Sequence, residues 1–181
     1  MTTRAVPLPR THVVVDSPYG PLTLVAEGSE LVGLCMEGQR HRPEESTFGV
    51  RLPEPDQAPF AETALQLEEY FAGRRDAFDL PLKLHGTEFQ KLVWAALCEI
   101  PYGQTWTYGE LAVHLGRPTG ARAVGLANGK NPIGVIVPCH RVIGSDGSLT
   151  GYGGGLHRKQ LLLEHERALQ GGPRGEQAAF F

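Results

Sequence analysis

Three short apolar runs open the chain between residues 12 and 36, HVVV, LTLVAEG and LVGLCM, separated by SPYG and EGSE. β-Branched runs broken by Pro/Gly turns predict an antiparallel meander. Residues 38–58 are rich in Pro, Glu and Arg and read as a loop. PFAETALQLEEYFAG then places Phe60, Ala64, Leu67 and Phe71 on one helical face, with Gly73 as the stop. AFDLPLKL follows as an edge strand or as the crossing into a second unit. Residues 1–84 therefore predict a three-stranded sheet plus a helix, with no evident chemistry.

From Thr87 the spacing turns helical. TEFQ and TYGE are capping boxes, Thr87 with Gln90 and Thr107 with Glu110, in which two side chains satisfy backbone N–H groups reciprocally. The first opens a helix burying Phe89, Leu92, Val93, Ala96 and Leu97, and the second a helix through Leu111 to Leu115. GRPTG makes a turn, and TGARAVGLANGK continues as a helix to Gly129. Two short helices joined by a Gly-containing turn form a helix-turn-helix candidate. The second helix is nearly without bulk, carrying Gly120, Ala121, Ala123, Gly125, Ala127 and Gly129. Each helical Gly costs about 1 kcal/mol relative to Ala. Close backbone approach to something large, or packing against a neighbouring helix, accounts for that composition. Asn131-Pro132 ends the helix, and Ile133–Val137 dives into the core. GSDGSLTGYGGG, residues 144–155, reads as a flexible polar loop. LHRKQLLLEHERAL predicts a terminal helix packing through Leu156, Leu161, Leu162 and His165 or Leu169. This gives a second unit over residues 85–170 and a disordered tail over 171–181.

Charge changes the picture by its distribution. The net charge is −3, which argues against a nucleic-acid partner. Residues 1–84 hold 8 Lys+Arg against 13 Asp+Glu, a net of −5, whereas residues 85–181 hold 9 against 7, a net of +2. Within 117–159, Arg117, Arg122, Lys130, Arg141, Arg158 and Lys159 are opposed only by Asp146. A locally basic stretch on an acidic chain is either a DNA-binding footprint or a solvated face. The N-terminus lacks a secretory pattern and no apolar run has membrane-spanning length, so an intracellular, cytoplasmic protein is expected. Cys35, Cys98 and Cys139 form neither a disulfide framework nor a CxxC metal pattern. Reduced thiols are expected, with no metal and no cofactor.

PCHRVIG at residues 138–144 carries the candidate chemistry. A free thiol with a pKa of about 8.5 is roughly 8% thiolate near pH 7.4, and the thiolate is the nucleophile. His140 follows Cys139, Glu166 on the terminal helix can fold back to it, and Arg141 adds positive charge. These are the parts of an activated nucleophile. Cys35, in a strand pattern, and Cys98, on an apolar helix side, read as core residues.

PCHRVIG, with GARAVG upstream and GYGGG downstream, closely resembles the O6-alkylguanine-DNA alkyltransferase family, the methylated-DNA–protein-cysteine methyltransferases. The match runs from about Thr87 to Glu166 and includes VW, IPYGQTWTYGELA and NGKNPIGVIVPCHRVIG in the same order and spacing. Over residues 1–84 it is a compatible architecture. The resemblance implies an α+β fold: a small N-terminal antiparallel-sheet domain, ribonuclease H-like, followed by a helical winged-helix domain of helix-turn-helix type. It implies that Cys139 accepts an alkyl group from O6-alkylguanine flipped out of double-stranded DNA, once per molecule. His140 would take the thiol proton through a water, Glu166 would orient His140, and Asn131 would brace the link from recognition helix to active segment. Tyr108 would press on the target phosphate and donate its hydroxyl to the departing guanine. Arg122 would fill the gap left in the base stack, and Tyr152 with Gly153 would wall the base pocket. Gly109, Arg117, Ala123, Gly125, Arg141 and Ser145 complete the expected DNA-contacting set, approached from the minor groove by a monomer that can bind cooperatively along DNA. Gly153 stands where some relatives carry a small polar residue.

Other readings remain open at this point. A non-catalytic sensor of alkylated bases would lack an acceptor cysteine. A Cys–His–Asn hydrolase rarely has its Cys and His adjacent in sequence. A plain helix-turn-helix regulator needs base-reading side chains on its second helix.

Overall fold

The strand β2, Leu22–Glu27, is buried at every position. It lies antiparallel between β1, Arg10–Val15, and β3, Glu30–Met36, and both of its faces are covered, which removes the alternation of a half-exposed strand. The computed structural model describes residues 7–169. One face of the sheet joins the main core through Val13, Leu24, Leu31 and Leu34, while Val25, Val32, Cys35 and Phe48 form a small cluster on the other. Phe48 comes from the segment read as loop. That segment also supplies β4, Val50–Arg51, parallel to β1. The sheet is therefore four-stranded and mixed, in the order β3-β2-β1-β4, rather than a three-stranded meander. Two residues are too few to display a period. AFDLPLKL adds only a bridge, Leu82 beside Leu31.

The helix α1, Phe60–Phe71, enters the core through Phe60, Thr63, Gln66, Leu67 and Tyr70. The expected face is rotated: Ala64 and Phe71 are half-buried flanks, and Tyr70 takes the interior place. The sheet edge at β3 takes the AFDLPLKL segment, Leu31 N–H donating to Pro81 O at 2.8 Å, and docks the second half through Leu34 N–H donating to Pro132 O at 3.0 Å.

Both capping boxes form, Thr87 Oγ1 accepting from Gln90 N–H and Thr107 Oγ1 from Glu110 N–H, each at 3.1 Å. They start α2, Glu88–Leu97, and α3, Tyr108–His114. Leu92, expected inside, is 56% exposed. Trp94 points inward instead and donates from Nε1 to Ala127 O at 2.9 Å, fastening α2 to α4, Ala121–Gly129. The exposed Cys98 likewise departs from its expected core position, because the helix ends at Leu97 and the chain turns there. The Ile133–Val137 run is buried but is a turn, not a strand. Ile133 alone bridges to Leu34, and Val135 has φ +68°, which breaks extended pairing. Beyond it β5, Trp106–Thr107, pairs in parallel with β6, Val142–Ile143.

The last helix, α5, Leu156–Leu169, buries Lys159, Leu162, Leu163 and Glu166. Leu156 is 50% exposed, and Leu161 and His165 are half-buried. The inward stripe starts at Lys159, so Leu156 falls at the exposed first turn. The side chain of Leu169 and the expected tail lie outside the described residues. Among the described residues no helix is long and apolar enough to cross a membrane.

Trp94→Phe removes the α2–α4 hydrogen bond and part of a buried ring. We expect a loss of about 2 kcal/mol in urea denaturation; a change below about 0.5 kcal/mol would show that the indole does not fasten the two helices.

Candidate active site

Cys139, His140 and Arg141 form one turn of 3-10 helix, all three buried. The chain reaches it through a tight path: Val137 N–H donates to Ile133 O at 3.0 Å and Cys139 N–H to Val137 O at 2.8 Å. Asn131 fixes that path from both ends, its Nδ2 donating to Val137 O at 2.7 Å and its Oδ1 accepting from Ile133 N–H at 3.0 Å. Val135 inside it holds a left-handed φ that a β-branched residue rarely adopts, strain of about 1–3 kcal/mol that a site must over-determine to keep.

The carboxylate of Glu166 organises the turn. Oε1 accepts from His140 Nε2 at 2.8 Å, Arg141 Nη2 at 2.9 Å and the Tyr70 hydroxyl at 2.7 Å. Oε2 accepts from Arg141 Nε at 3.0 Å, and Arg141 Nη1 reaches Ile100 O at 2.7 Å. Burial works to raise the Glu166 carboxyl, yet His140 and Arg141 hold it well below the usual carboxylate range. The oxygen facing His140 is thus an acceptor, which makes Nε2 the protonated ring nitrogen. Nδ1 is then the basic atom, and it is buried with no protein partner. Burial keeps the imidazole below its ordinary value, with Glu166 opposing and Arg141 and Lys159 reinforcing. Burial also pushes the Cys139 thiol up, against the Asn131 amide and the Lys159 charge.

Lys159, Asn128 and, from α1, Tyr70 are absent from the expected set and converge here beside Tyr108. Lys159 is fully buried, and its ammonium donates to Val142 O and, at 2.9 Å, to Thr150 O. Burial depresses it from 10.5 to about 8. The Tyr108 hydroxyl donates to the same Thr150 carbonyl at 2.9 Å. Asn128 lies beneath, Nδ2 at 3.5 Å from Cys139 O. Lys159 and Glu166 sit on the apolar stripe of α5 with Leu162 and Leu163; charge on the inward face of a helix was the legible signal for Lys159 and, on α1, an aromatic next to a predicted core residue was the signal for Tyr70. Asn128 had none.

A cavity of about 20 Å³ opens at Cys139, lined by Met36, Arg40, Asn131, Tyr152, Gly153 and Gly154 among others. That volume holds about one water molecule and no nucleobase. The glycine loop forms its roof. Gly153 O accepts from Arg40 N–H at 2.7 Å, and a Cβ on Gly154 would lie 2.6 Å from Met36 Sδ. Gly151 combines φ +71° with a site where a Cβ would lie 2.8 Å from the Tyr108 hydroxyl. Among the described residues no group of three or more His, Cys, Asp or Glu could hold a metal ion.

On the outside, Arg117, Arg122, Ala123 and Lys130 are exposed, Tyr108, Gly109 and Gly125 half-exposed beside them, and Ser145 exposed in the turn after β6. Gly125 faces the Tyr108 ring at 3.6 Å, so part of the missing bulk on α4 makes room for that ring. Tyr152 is buried and Gly153 half-buried against the cavity. Arg141 departs from expectation. It is 7% exposed with its guanidinium spent on Glu166 and Ile100, so that group is not presented at the surface as a DNA contact would require. Lys159 is interior too, and Arg158 donates to Tyr19 O, Glu37 O and Gly154 O. Half of the basic stretch is therefore committed to the protein itself.

A buried thiol beside an imidazole–carboxylate pair, set behind an exposed two-helix unit, defines a cysteine-nucleophile protein built on a DNA-binding type of domain. Family models carry this further. The ribonuclease-like domain of 6-O-methylguanine DNA methyltransferases matches residues 11–84, and their DNA-binding domain matches residues 88–168. The chain is 54% identical over 84% of its length, and 90% of the relative's, to the methylated-DNA–protein-cysteine methyltransferase of Mycobacterium leprae. It is 50% identical to that of Methanosarcina barkeri over 84% of this chain and 94% of the other. A crystal structure of Mycobacterium tuberculosis OGT in complex with DNA superposes with a TM-score of 0.80 at 52% identity, covering 88% of this chain and 94% of that one. The chain belongs to the 6-O-methylguanine DNA methyltransferase family.

The buried charges predict how stability follows pH. Glu166 titrates below its ordinary 4.5 when folded, so its contribution is present above about 4.5 and is lost as pH falls below it. Glu27, held at about 2 by Lys83, Arg10 and His85 against its burial, adds to that acid limb. Lys159 acts with the same sign in an alkaline window: between about 8 and 10.5 the unfolded chain binds more protons, so its charge costs stability at neutral pH and that cost is relieved as pH rises. The thiols of Cys35, Cys98 and Cys139 and the phenols of Tyr70 and Tyr152, raised by burial, lower stability over the same range, so the test is a difference. From pH 7 to 10 urea denaturation is expected to show stability falling more in Lys159→Met than in the wild type; an unchanged alkaline profile in the variant would contradict a charged, buried Lys159.

Proposed function

We propose that this protein repairs DNA directly, taking the alkyl group of O6-alkylguanine onto its own Cys139. The observation that carries the reading is the buried His140 whose Nε2–H is fixed on an ionised Glu166, leaving Nδ1 as a base next to a thiol. The Cys139 proton passes to His140 Nδ1, through one water. The thiolate attacks the alkyl carbon in line, the S–C bond forms, and the C–O6 bond breaks. Negative charge moving onto the guanine is met by the Tyr108 hydroxyl, and the guanine leaves with a proton returned to it. The product thioether is uncharged and unreactive, so each molecule acts once.

The substrate carbon is hidden in a stacked duplex, and flipping it out costs a few kcal/mol. Arg122, exposed on α4, occupies the space left in the stack, while Arg117 and Lys130 supply phosphate attraction that does not depend on sequence. The small side chains of α4 bring backbone near the minor groove. The protein acts as a monomer on double-stranded DNA. To admit the base, the glycine loop leaves Arg40 and the cavity at Cys139 widens from its water-sized volume. Tyr108 exchanges Thr150 O for the base, and Lys159 keeps that carbonyl satisfied meanwhile.

Incubation with a duplex carrying O6-methylguanine is expected to add one methyl, found by intact mass and peptide mapping on the peptide containing Cys139. Cys139→Ser gains none and still binds the duplex. Methyl on Cys35 or Cys98, or many turnovers from unmodified protein, would overturn the reading. Arg122→Ala is expected to slow reaction with duplex by about tenfold or more while sparing reaction with free alkylguanine. Equal losses on both substrates remove Arg122 from base flipping.

A further inference from the structure

The N-terminal unit reaches into the relay. Tyr70 on α1 is fully buried. Its hydroxyl donates to Glu166 Oε1 at 2.7 Å, and its carbonyl accepts from His165 Nε2 at 2.8 Å. Both ends of this one residue therefore grip successive residues of α5. The ring cannot drift: Phe71, Phe78, Tyr102 and His165 surround it with centroids 5.1–6.2 Å away. Burial and the adjacent carboxylate hold the phenol far above its ordinary value, so it stays a donor.

Glu166 Oε1 receives three donors, and one of them is the imidazole of His140. Each donor draws negative charge from that oxygen and limits where it can lie. We propose that Tyr70 is a positioning residue of the alkyl-transfer relay, its hydroxyl fixing the Glu166 oxygen that orients His140. This rests on the transfer reading above and extends it, because it makes the N-terminal unit part of the relay. The charged and titratable groups around His140 are Glu166 and Lys159 from α5 and Arg141 from its own turn. Tyr19 and Tyr102 also lie within the field of Glu166. Among the described residues, the donors to Oε1 are Tyr70, His140 and Arg141.

Tyr70→Phe removes the hydroxyl and keeps the ring. Oε1 then holds more charge toward His140, whose titration, followed by NMR of the ring carbons, is expected to move upward by about half a unit to one unit. Transfer of methyl from duplex is expected to slow about threefold to tenfold with duplex affinity unchanged, and the acid limb of its pH profile to move to higher pH. In a Glu166→Gln background the same substitution is expected to add nothing. A lowered melting temperature with His140 titration and transfer rate unchanged would make Tyr70 structural only, and an undiminished slowing in the Glu166→Gln background would place its action elsewhere. The NMR measurement needs no DNA. Wild-type protein that transfers no methyl would sink the repair reading, while the His140 titration still decides the Tyr70 coupling.

Discussion

A carboxylate with no exposed surface must be neutralised and hydrogen-bonded or it unfolds what surrounds it. Glu166 is that group, and meeting its demand determines much of this architecture. Arg141 supplies the charge in a two-point contact, His140 and Tyr70 supply further donors, and Arg141 also holds the end of α2 through Ile100 O. One side chain on α5 thus ties together the reactive turn, the N-terminal helix α1 and the scaffold of the two-helix unit. A pair of this kind contributes little net stability against an apolar substitute, but breaking one partner costs about 3–5 kcal/mol. Its value lies in permitting one arrangement of the turn that carries Cys139.

The same pairing sets the chemistry. An isolated Glu166 would raise the basicity of His140 and leave a standing imidazolium in the core. Burial first, and then Arg141 balancing the carboxylate, keep His140 neutral, and its Nδ1 remains a base. The Cys139 thiol is itself raised by burial, so it rests protonated and is protected from adventitious oxidation and alkylation. For a protein that is proposed to spend its acceptor thiol in one event, a thiol that ionises on demand is safer than a standing thiolate. Lys159 leans the balance toward ionisation without completing it, because its own charge is weakened by desolvation.

The parts legible in the sequence were those governed by local rules. Capping boxes at Thr87 and Thr107 announced their helices, since a cap involves four consecutive residues. The strands β1–β3 were visible as β-branched runs between turns. What was hidden depended on distant partners. β4 is two residues long and exists because β1 offers an edge. Leu92 and Trp94 compete for the inside of α2, and the indole prevails because Ala127 O lies within its reach. Arg141 sits in a basic stretch and resembles a phosphate ligand, yet Glu166, distant in sequence, claims it. Glu166 is legible as a carboxylate on the terminal helix able to fold back to His140, but its orienting role comes with the family motif, because spacing alone also allows a surface carboxylate there.

The narrow cavity follows from these constraints and bears on how the site operates. Val135 in a left-handed conformation, the Asn131 clamp and the Gly153–Arg40 hydrogen bond press the reactive turn and its roof together until only a water-sized space remains beside the sulfur. Such a space keeps the dielectric low, which holds the thiol protonated. The relay under the turn is fully paired and belongs to packed helices. The roof is different, being a run of glycines held to the sheet domain by a single backbone hydrogen bond among those described. In the proposed reaction, opening would cost least at the roof, on the side of Tyr108 and α4, and would leave the relay assembled while the pocket widens. That asymmetry lets a rigid acid–base apparatus and a deformable substrate pocket share one sulfur atom.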